Sequence, residues 1–276
     1  MRIASWNIQH GGFHGYNPEI PSPHLGRDIK SALDTLHHVK SAETTVVIDA
    51  YRWDEYYGND HQIARYMGYV GARFTQLSDD RLSSIGEDGI GIAIASDRRI
   101  TDVRVLDLGT RNGLSVMLDS REGLLQVAGL YLDDMSETVR RDQVACLKKE
   151  LEPGVPTVLV GDFNTLRPAL PQASTRDRVA DKLVRTMVAM TPAFGEVPTK
   201  LKTMDIRTIV PQIESMGYID SDPLARPTVP ARLPVLGLDY AFHTPDLKVE
   251  NFQVLNNPSF NRLSDHRPIL FDVHQA

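Results

Sequence analysis

The sequence predicts an α/β (α+β) fold of stacked β-sheets flanked by helices, on two observations: apolar runs of strand length outnumber segments of helical spacing, and they cluster along the chain. Continuous or alternating apolar runs at residues 3–8, 45–50, 90–95, 103–108, 114–118 and 124–132 read as strands. A second set follows at 157–160, 240–243, 249–255 and 269–273. Between them, Leu25, Ile29, Leu33 and Leu36 recur at helical spacing along one face. Ser136 is placed to N-cap another helix, carried by Val139, Val144, Leu147 and Leu151 and stopped by Pro153-Gly154.

A chain of 276 residues, 41% hydrophobic and 24% charged, can bury a large core, and no linker, fixed-period repeat or low-complexity tract divides it. We read residues 1–276 as a single catalytic-size domain with a basic insert at about 165–207. The one cysteine, Cys146, excludes an internal disulfide framework and a cysteine-rich zinc site. The chain opens on a strand pattern rather than a basic stretch with an apolar core, and no run is long enough to span a bilayer. A cytoplasmic protein without a membrane segment is the expectation. The net charge of −6 argues against a general basic coat for nucleic acid, though not against a local patch.

Polar residues of chemical interest stand at strand ends. Gly161-Asp162-Phe163-Asn164 directly follows the apolar run 157–160, where the glycine suits a tight turn and an extended Asp-x-Asn would point both polar side chains to one side. Ser264-Asp265-His266-Arg267-Pro268 precedes the last strand and sets a hard oxygen ligand beside a titratable ring. Trp6-Asn7 closes the first strand, and Leu238-Asp239-Tyr240 enters a late one.

These four motifs, in this order from residue 6 to residue 268, resemble the endonuclease/exonuclease/phosphatase superfamily, which includes deoxyribonuclease I and the AP endonucleases. The resemblance implies a four-layer α/β/β/α sandwich of two stacked mixed sheets. It also implies that Asn7 and Asp265 bind a divalent metal, Mg²⁺ with Mn²⁺ as an alternative, and that Asp162 orients or deprotonates water. Asn164 would hydrogen-bond the phosphate, and His266, held by Asp239, would stabilise charge on the pentacovalent phosphorus. The chemistry agrees, since phosphoryl transfer is mainly positioning and charge neutralisation.

Two positions need comment. The family carries a Leu-Gln-Glu whose Glu is a main metal ligand, whereas the strand here reads Val46-Val47-Ile48-Asp49-Ala50-Tyr51. Asp49 is the expected substitute, with Glu55 in reserve. After the strand 124–130, where deoxyribonuclease I-like members have a His and AP endonuclease-like members a Tyr, this chain has Tyr131, whose hydroxyl donates without titrating near neutrality. Arg140 and Gln143 match the Arg and Gln that often open the next helix, and Arg140 is the expected substrate contact of the two.

Between 165 and 207 stand eight Lys or Arg and four acids, so the segment carries 8 − 4 = +4 and the rest of the chain −6 − 4 = −10. Within this insert, expected to be helical over 175–190, Lys182, Arg185, Lys200 and Lys202 would face a phosphate backbone. The expected substrate is therefore a phosphodiester, nucleic acid first, with no protein partner inferred. A phosphatase of small molecules or lipid headgroups and a catalytically weakened binding homologue are the alternatives.

Overall fold

A computed structural model of the chain describes residues 1–8, 31–50, 74–77, 91–120, 122–166, 203–204, 206–222, 224 and 226–276. The described strands are β1 (Arg2–Asn7), β2 (Thr44–Ile48), β3 (Phe74–Leu77), β4 (Ile92–Ser96), β5 (Ile100–Asp107), β6 (Asn112–Ser120), β7 (Gly123–Tyr131), β8 (Thr157–Asp162), β9 (Ile219–Asp220), β10 (Asp239–His243), β11 (Leu247–Val254) and β12 (Ile269–Gln275). The helices lying wholly within the described residues are α1 (Glu137–Glu150), α2 (Ile209–Ser215) and α3 (Phe260–Leu263), with a wider helical turn at Thr35–Val39. The expected helical face from Leu25 begins outside the described residues, as does the proposed helix of the basic insert.

Two six-stranded sheets form, in the orders β11-β12-β1-β2-β4-β3 and β5-β6-β7-β8-β10-β9. Both are mixed: β1 runs parallel to β2 and β7 parallel to β8, while the remaining neighbours are antiparallel. The period-two alternation of strands explains the layers. Ile3, Val46, Ile48 and Ile94 of the first sheet face Val116, Val127, Val158 and Val160 of the second in one inner core. The alternate residues Ala4, Trp6, Val47 and Leu270 pack outward against Ala32, Leu33, Leu36 and Phe260. On the far side Ala128, Leu130, Leu159 and Phe242 pack against Val144 and Leu147 of α1 and Ile209 and Ile213 of α2. The result is a helix, sheet, sheet, helix sandwich. Because central strands are buried on both faces, they read as continuous apolar runs.

Gly129 lets the two sheets approach: a Cβ there would lie 2.8 Å from Ile92 Cγ2 and from Val46 Cγ1 of the opposite sheet. α1 begins as expected, with Ser136 Oγ accepting from the Val139 amide.

The edges of β1 and β12 are fastened by Arg2, which donates to Asp272 at 2.6 and 3.0 Å. This hydrogen bond, together with one from Asn251, holds the Asp272 carboxyl below its usual range. A depressed folded pKa stabilises above the unfolded value and is lost as pH falls through the folded one, so the window lies below about pH 4. Asp272→Asn is expected to cost about 1 kcal/mol at pH 7 by thermal or denaturant unfolding, with the difference from wild type closing in acid. A gap that persists undiminished at pH 2 would contradict this.

Candidate active site

The topology brings the four motifs to one edge of the sandwich. Parallel pairing of β1 with β2 and of β7 with β8 sets Asn7, Asp49, Tyr131 and Asp162 at carboxyl ends that point the same way within each sheet. Antiparallel pairing returns β10 with Asp239 directly opposite Asp162, and β12 with Ile269 opposite Ser5, so that the loop before β12 reaches the end of β1.

Side chains then meet. Asn7 Nδ2 donates to Asp162 Oδ2 at 2.9 Å. His266 Nδ1 lies 2.8 Å from Asp239 Oδ2, while its Nε2 is 3.8 Å from both Asp162 Oδ2 and Asp265 Oδ1, beyond hydrogen-bond range. Asn7, Asp162, Asp239, Asp265 and His266, far apart in sequence, thus form one contiguous cluster. Ser264, to which the sequence reading gave no role, stitches two of its motifs: its hydroxyl donates to Asn7 O at 2.7 Å and accepts from the His266 amide at 2.9 Å. A serine two residues before a functional side chain is a recognisable local cap, and that was the available signal. The Trp6 indole donates to His266 O at 3.1 Å, so the first motif also fixes the backbone of the last.

Asp162 and Asn164 differ from the expected turn. β8 continues through Gly161 and Asp162, and Gly161 has φ 146°, with an added Cβ falling 2.0 Å from Leu130 O. Close approach of β7, rather than a turn, therefore requires this glycine. Asn164 is left-handed, at φ 47°, instead of extended; its amide donates to Asp162 Oδ1 at 2.9 Å and its Nδ2 to Leu132 O at 2.9 Å. Asp49 is left-handed as well, at φ 57°. Such conformations cost roughly 1 kcal/mol each, least for Asn and Asp, and are held only where the surroundings demand them.

Electrostatics divides the roles. Asp162 is 2% exposed, and burial raises its carboxyl to about 7 against the pull of His266 and the two N–H donors. Burial opposes the His266 imidazolium, but the carboxylates of Asp239, Asp162 and Asp265 outweigh it and lift the ring to about 10. At neutral pH the ring is a cation that donates Nδ1–H to Asp239 and keeps Nε2–H beside Asp162. Burial, then the charge of Asp49, pushes the Tyr131 hydroxyl well above its usual range, so it stays a donor. Arg111 sits with its guanidinium carbon 4.5 Å from the centre of the Tyr131 ring, donating to Leu132 O at 2.9 Å and to Asp134 at 3.0 Å. Sequence reading passed over Arg111, which stands in no motif and meets Asp134 only through the pairing of β6 with β7.

Arg140 is corrected from a substrate contact to a buried support. It has no exposed surface; Nε donates to Glu137 at 2.9 Å and Nη1 to Asp133 O at 2.7 Å, which braces the loop after Tyr131 from beneath. Gln143 serves the same loop, its Oε1 accepting from the Asp133 amide at 2.9 Å. Glu55, Lys182, Arg185, Lys200 and Lys202 lie outside the described residues.

Oxygen donors of the kind a divalent cation takes stand at these strand ends. Asn7 offers a carboxamide oxygen, Asp49 and Asp265 offer carboxylates, and these are hard oxygens of the kind Mg²⁺ takes. Asp265 Oδ1 is buried yet makes no hydrogen bond, which a cation would remedy. Among the described residues no group of three or more His, Cys, Asp or Glu side chains is arranged to hold a metal ion.

No helix among the described residues is long and apolar enough to cross a membrane. No curated protein sequence matches the chain. Among solved structures, an endonuclease/exonuclease/phosphatase from Beutenbergia cavernae aligns with TM-score 0.67 at 18% identity, over 100% of this chain and 72% of that one. An AP endonuclease from Archaeoglobus fulgidus aligns with TM-score 0.65 at 15% identity, over 99% and 98%. A mannosyl-6-phosphatase from Bacteroides thetaiotaomicron aligns with TM-score 0.62 at 11% identity, over 99% of both. At these identities the likeness is one of fold, the same two-sheet sandwich. Sequence carries the assignment further: the profile of the Endonuclease/Exonuclease/phosphatase family matches residues 4–266, from β1 through His266, and the chain belongs to that family.

Proposed function

We propose that this protein is a divalent-metal-dependent phosphodiesterase acting on nucleic acid. The observation that carries the hydrolytic reading is the placement of the His266 ring, 2.8 Å from Asp239 through Nδ1 and 3.8 Å from the buried Asp162 carboxyl through Nε2. A cation, Mg²⁺ or Mn²⁺, would be held by Asn7, Asp49 and Asp265 and would neutralise charge on the phosphate. The remaining work falls to the chain's own groups. Asp162, oriented by two N–H donors and poised near neutrality, takes the proton of the attacking water. One N–H of Asn164 is used on Leu132 O, and the other remains for a phosphate oxygen. His266 Nε2–H and the Tyr131 hydroxyl oppose the charge that grows on the equatorial oxygens.

Nucleic acid as substrate is supported by the +4 segment that begins one residue after Asn164 in an otherwise acidic chain, with Lys182, Arg185, Lys200 and Lys202 as its phosphate contacts. Arg140 is no part of this surface. The test is a panel of a generic phosphodiester, single- and double-stranded DNA, abasic duplex and inositol phosphates, with Mg²⁺, Mn²⁺ or chelator. Metal-dependent cleavage of DNA is expected. Turnover of monoesters alone would place the protein with the phosphatases, and no turnover at all would leave only a binding role.

Asp49 replaces the longer Glu of the family pattern, so its contribution is separable. Asp49→Ala is expected to raise the half-saturating metal concentration about tenfold or more while saturating metal restores most of kcat. An unaltered metal titration would transfer the role to Glu55.

A further inference from the structure

We propose that the hairpin of residues 228–236 is a second substrate-contacting element, and that its tip, Arg232 and Leu233, packs against the nucleoside next to the scissile phosphate. The inference rests on the nucleic-acid reading of the site and adds to it the residues that would read the organic part of the substrate.

The hairpin is closed by its own backbone: Thr228 and Val229 donate to Leu236 O at 2.7 and 2.9 Å, Val235 and Leu236 donate to Val229 O at 2.8 Å, and the Leu233 amide returns to Pro230 O at 3.1 Å. Its base is partly buried, with Val229 and Leu236 against the buried Leu166, Met204 and Leu238. It is also tied to both chain segments that hold the His266 ring. On one side the Ala231 amide donates to Asp265 O at 2.6 Å, and Arg267 donates through its amide to Thr228 O at 3.0 Å and through Nε to Ala231 O at 2.6 Å. On the other, Thr228 Oγ1 accepts from the Asp239 amide at 3.5 Å. The hairpin is thereby hydrogen-bonded to the segments that carry Asp239, Asp265 and His266.

What this rigid support presents is apolar and cationic. Leu233 is 71% exposed, the largest value among the exposed large apolar side chains of the described residues. Arg232 beside it is exposed, with no ion pair to any of the described residues. A single exposed leucine is ordinary on a protein surface. One held this firmly, two residues from a backbone bond to Asp265, with an unengaged guanidinium adjoining, matches a ligand that alternates flat apolar groups with phosphates. Nucleic acid has that chemistry, and the backbone bond from Ala231 to Asp265 sets the tip beside the motif that carries His266.

The test compares a single-stranded DNA oligonucleotide with methyl p-nitrophenyl phosphate in wild type, Leu233→Ala and Arg232→Ala. Both side chains are exposed, so folding is not at stake. Leu233→Ala is expected to raise the ratio of oligonucleotide KM to small-diester KM about tenfold, with the effect on KM rather than kcat. Arg232→Ala should raise the same ratio and reduce the salt slope of oligonucleotide KM by about 1. If wild type cleaves both substrates and neither variant changes the ratio, the hairpin proposal falls while the functional reading stands. If wild type cleaves only the small diester, or neither, both fall together.

Discussion

Asp162→Asn is expected to lower kcat for phosphodiester hydrolysis by about 10²–10⁴-fold, the range for loss of a positioned general base. The substitution keeps the side-chain size at a position that is 2% exposed; it removes the capacity to accept a proton and, because the new amide nitrogen faces one of the two N–H donors, one accepted hydrogen bond as well. Asp162 is the point where Asn7, Asn164 and His266 converge, so no other side chain in contact can take over. Steady-state kinetics with saturating metal, beside an unfolding curve, decide the matter. Activity within a few-fold of wild type in a folded variant would remove Asp162 from the chemistry.

The second large effect concerns His266. His266→Ala should reduce kcat by about 10²–10³-fold with little change in KM, because a cation that answers developing charge acts mainly in the transition state. The substitution also strands Asp239, whose side chain is 3% exposed and whose charge His266 balances. Leaving a buried charge unpaired costs roughly 3–5 kcal/mol, so a loss of stability accompanies the loss of rate. Adding Asp239→Asn to His266→Ala should restore stability without restoring kcat. If the double variant recovered both, or if the single one changed KM alone, His266 would be structural or a ground-state contact.

The fold was legible wherever strands are buried on both faces. The apolar runs 3–8, 45–50 and 157–160 mark β1, β2 and most of β8, since their alternate residues meet one core or another on either side. β8 extends through Gly161 and Asp162 because pairing with β7 and β10 continues past the last apolar residue. β3, with Thr75 and Gln76 at its centre, and the two-residue β9 are edge strands of their sheets, and backbone pairing alone defines them. Neither carries a hydrophobic signature.

For the site, motif order along the chain identified the polar residues but not their mutual contacts, which depend on β10 and β12 running antiparallel to their neighbours. Arg140 shows the limit of that reading. Its place near the start of α1 is legible, yet only the path of the loop from Leu132 to Ser136 decides whether it looks outward or braces Asp133 from below. Arg111 carried no motif, and its contacts with Tyr131 and Leu132 arise from sheet pairing rather than sequence proximity.

Anomalous diffraction from crystals soaked in Mn²⁺ tests the central claim most directly. The account predicts a principal peak whose oxygen ligands include Asn7, Asp49 and Asp265, within reach of the Asp162 and His266 side chains. A principal peak remote from these five residues, with Asp265 still lacking any contact to a cation, would contradict it.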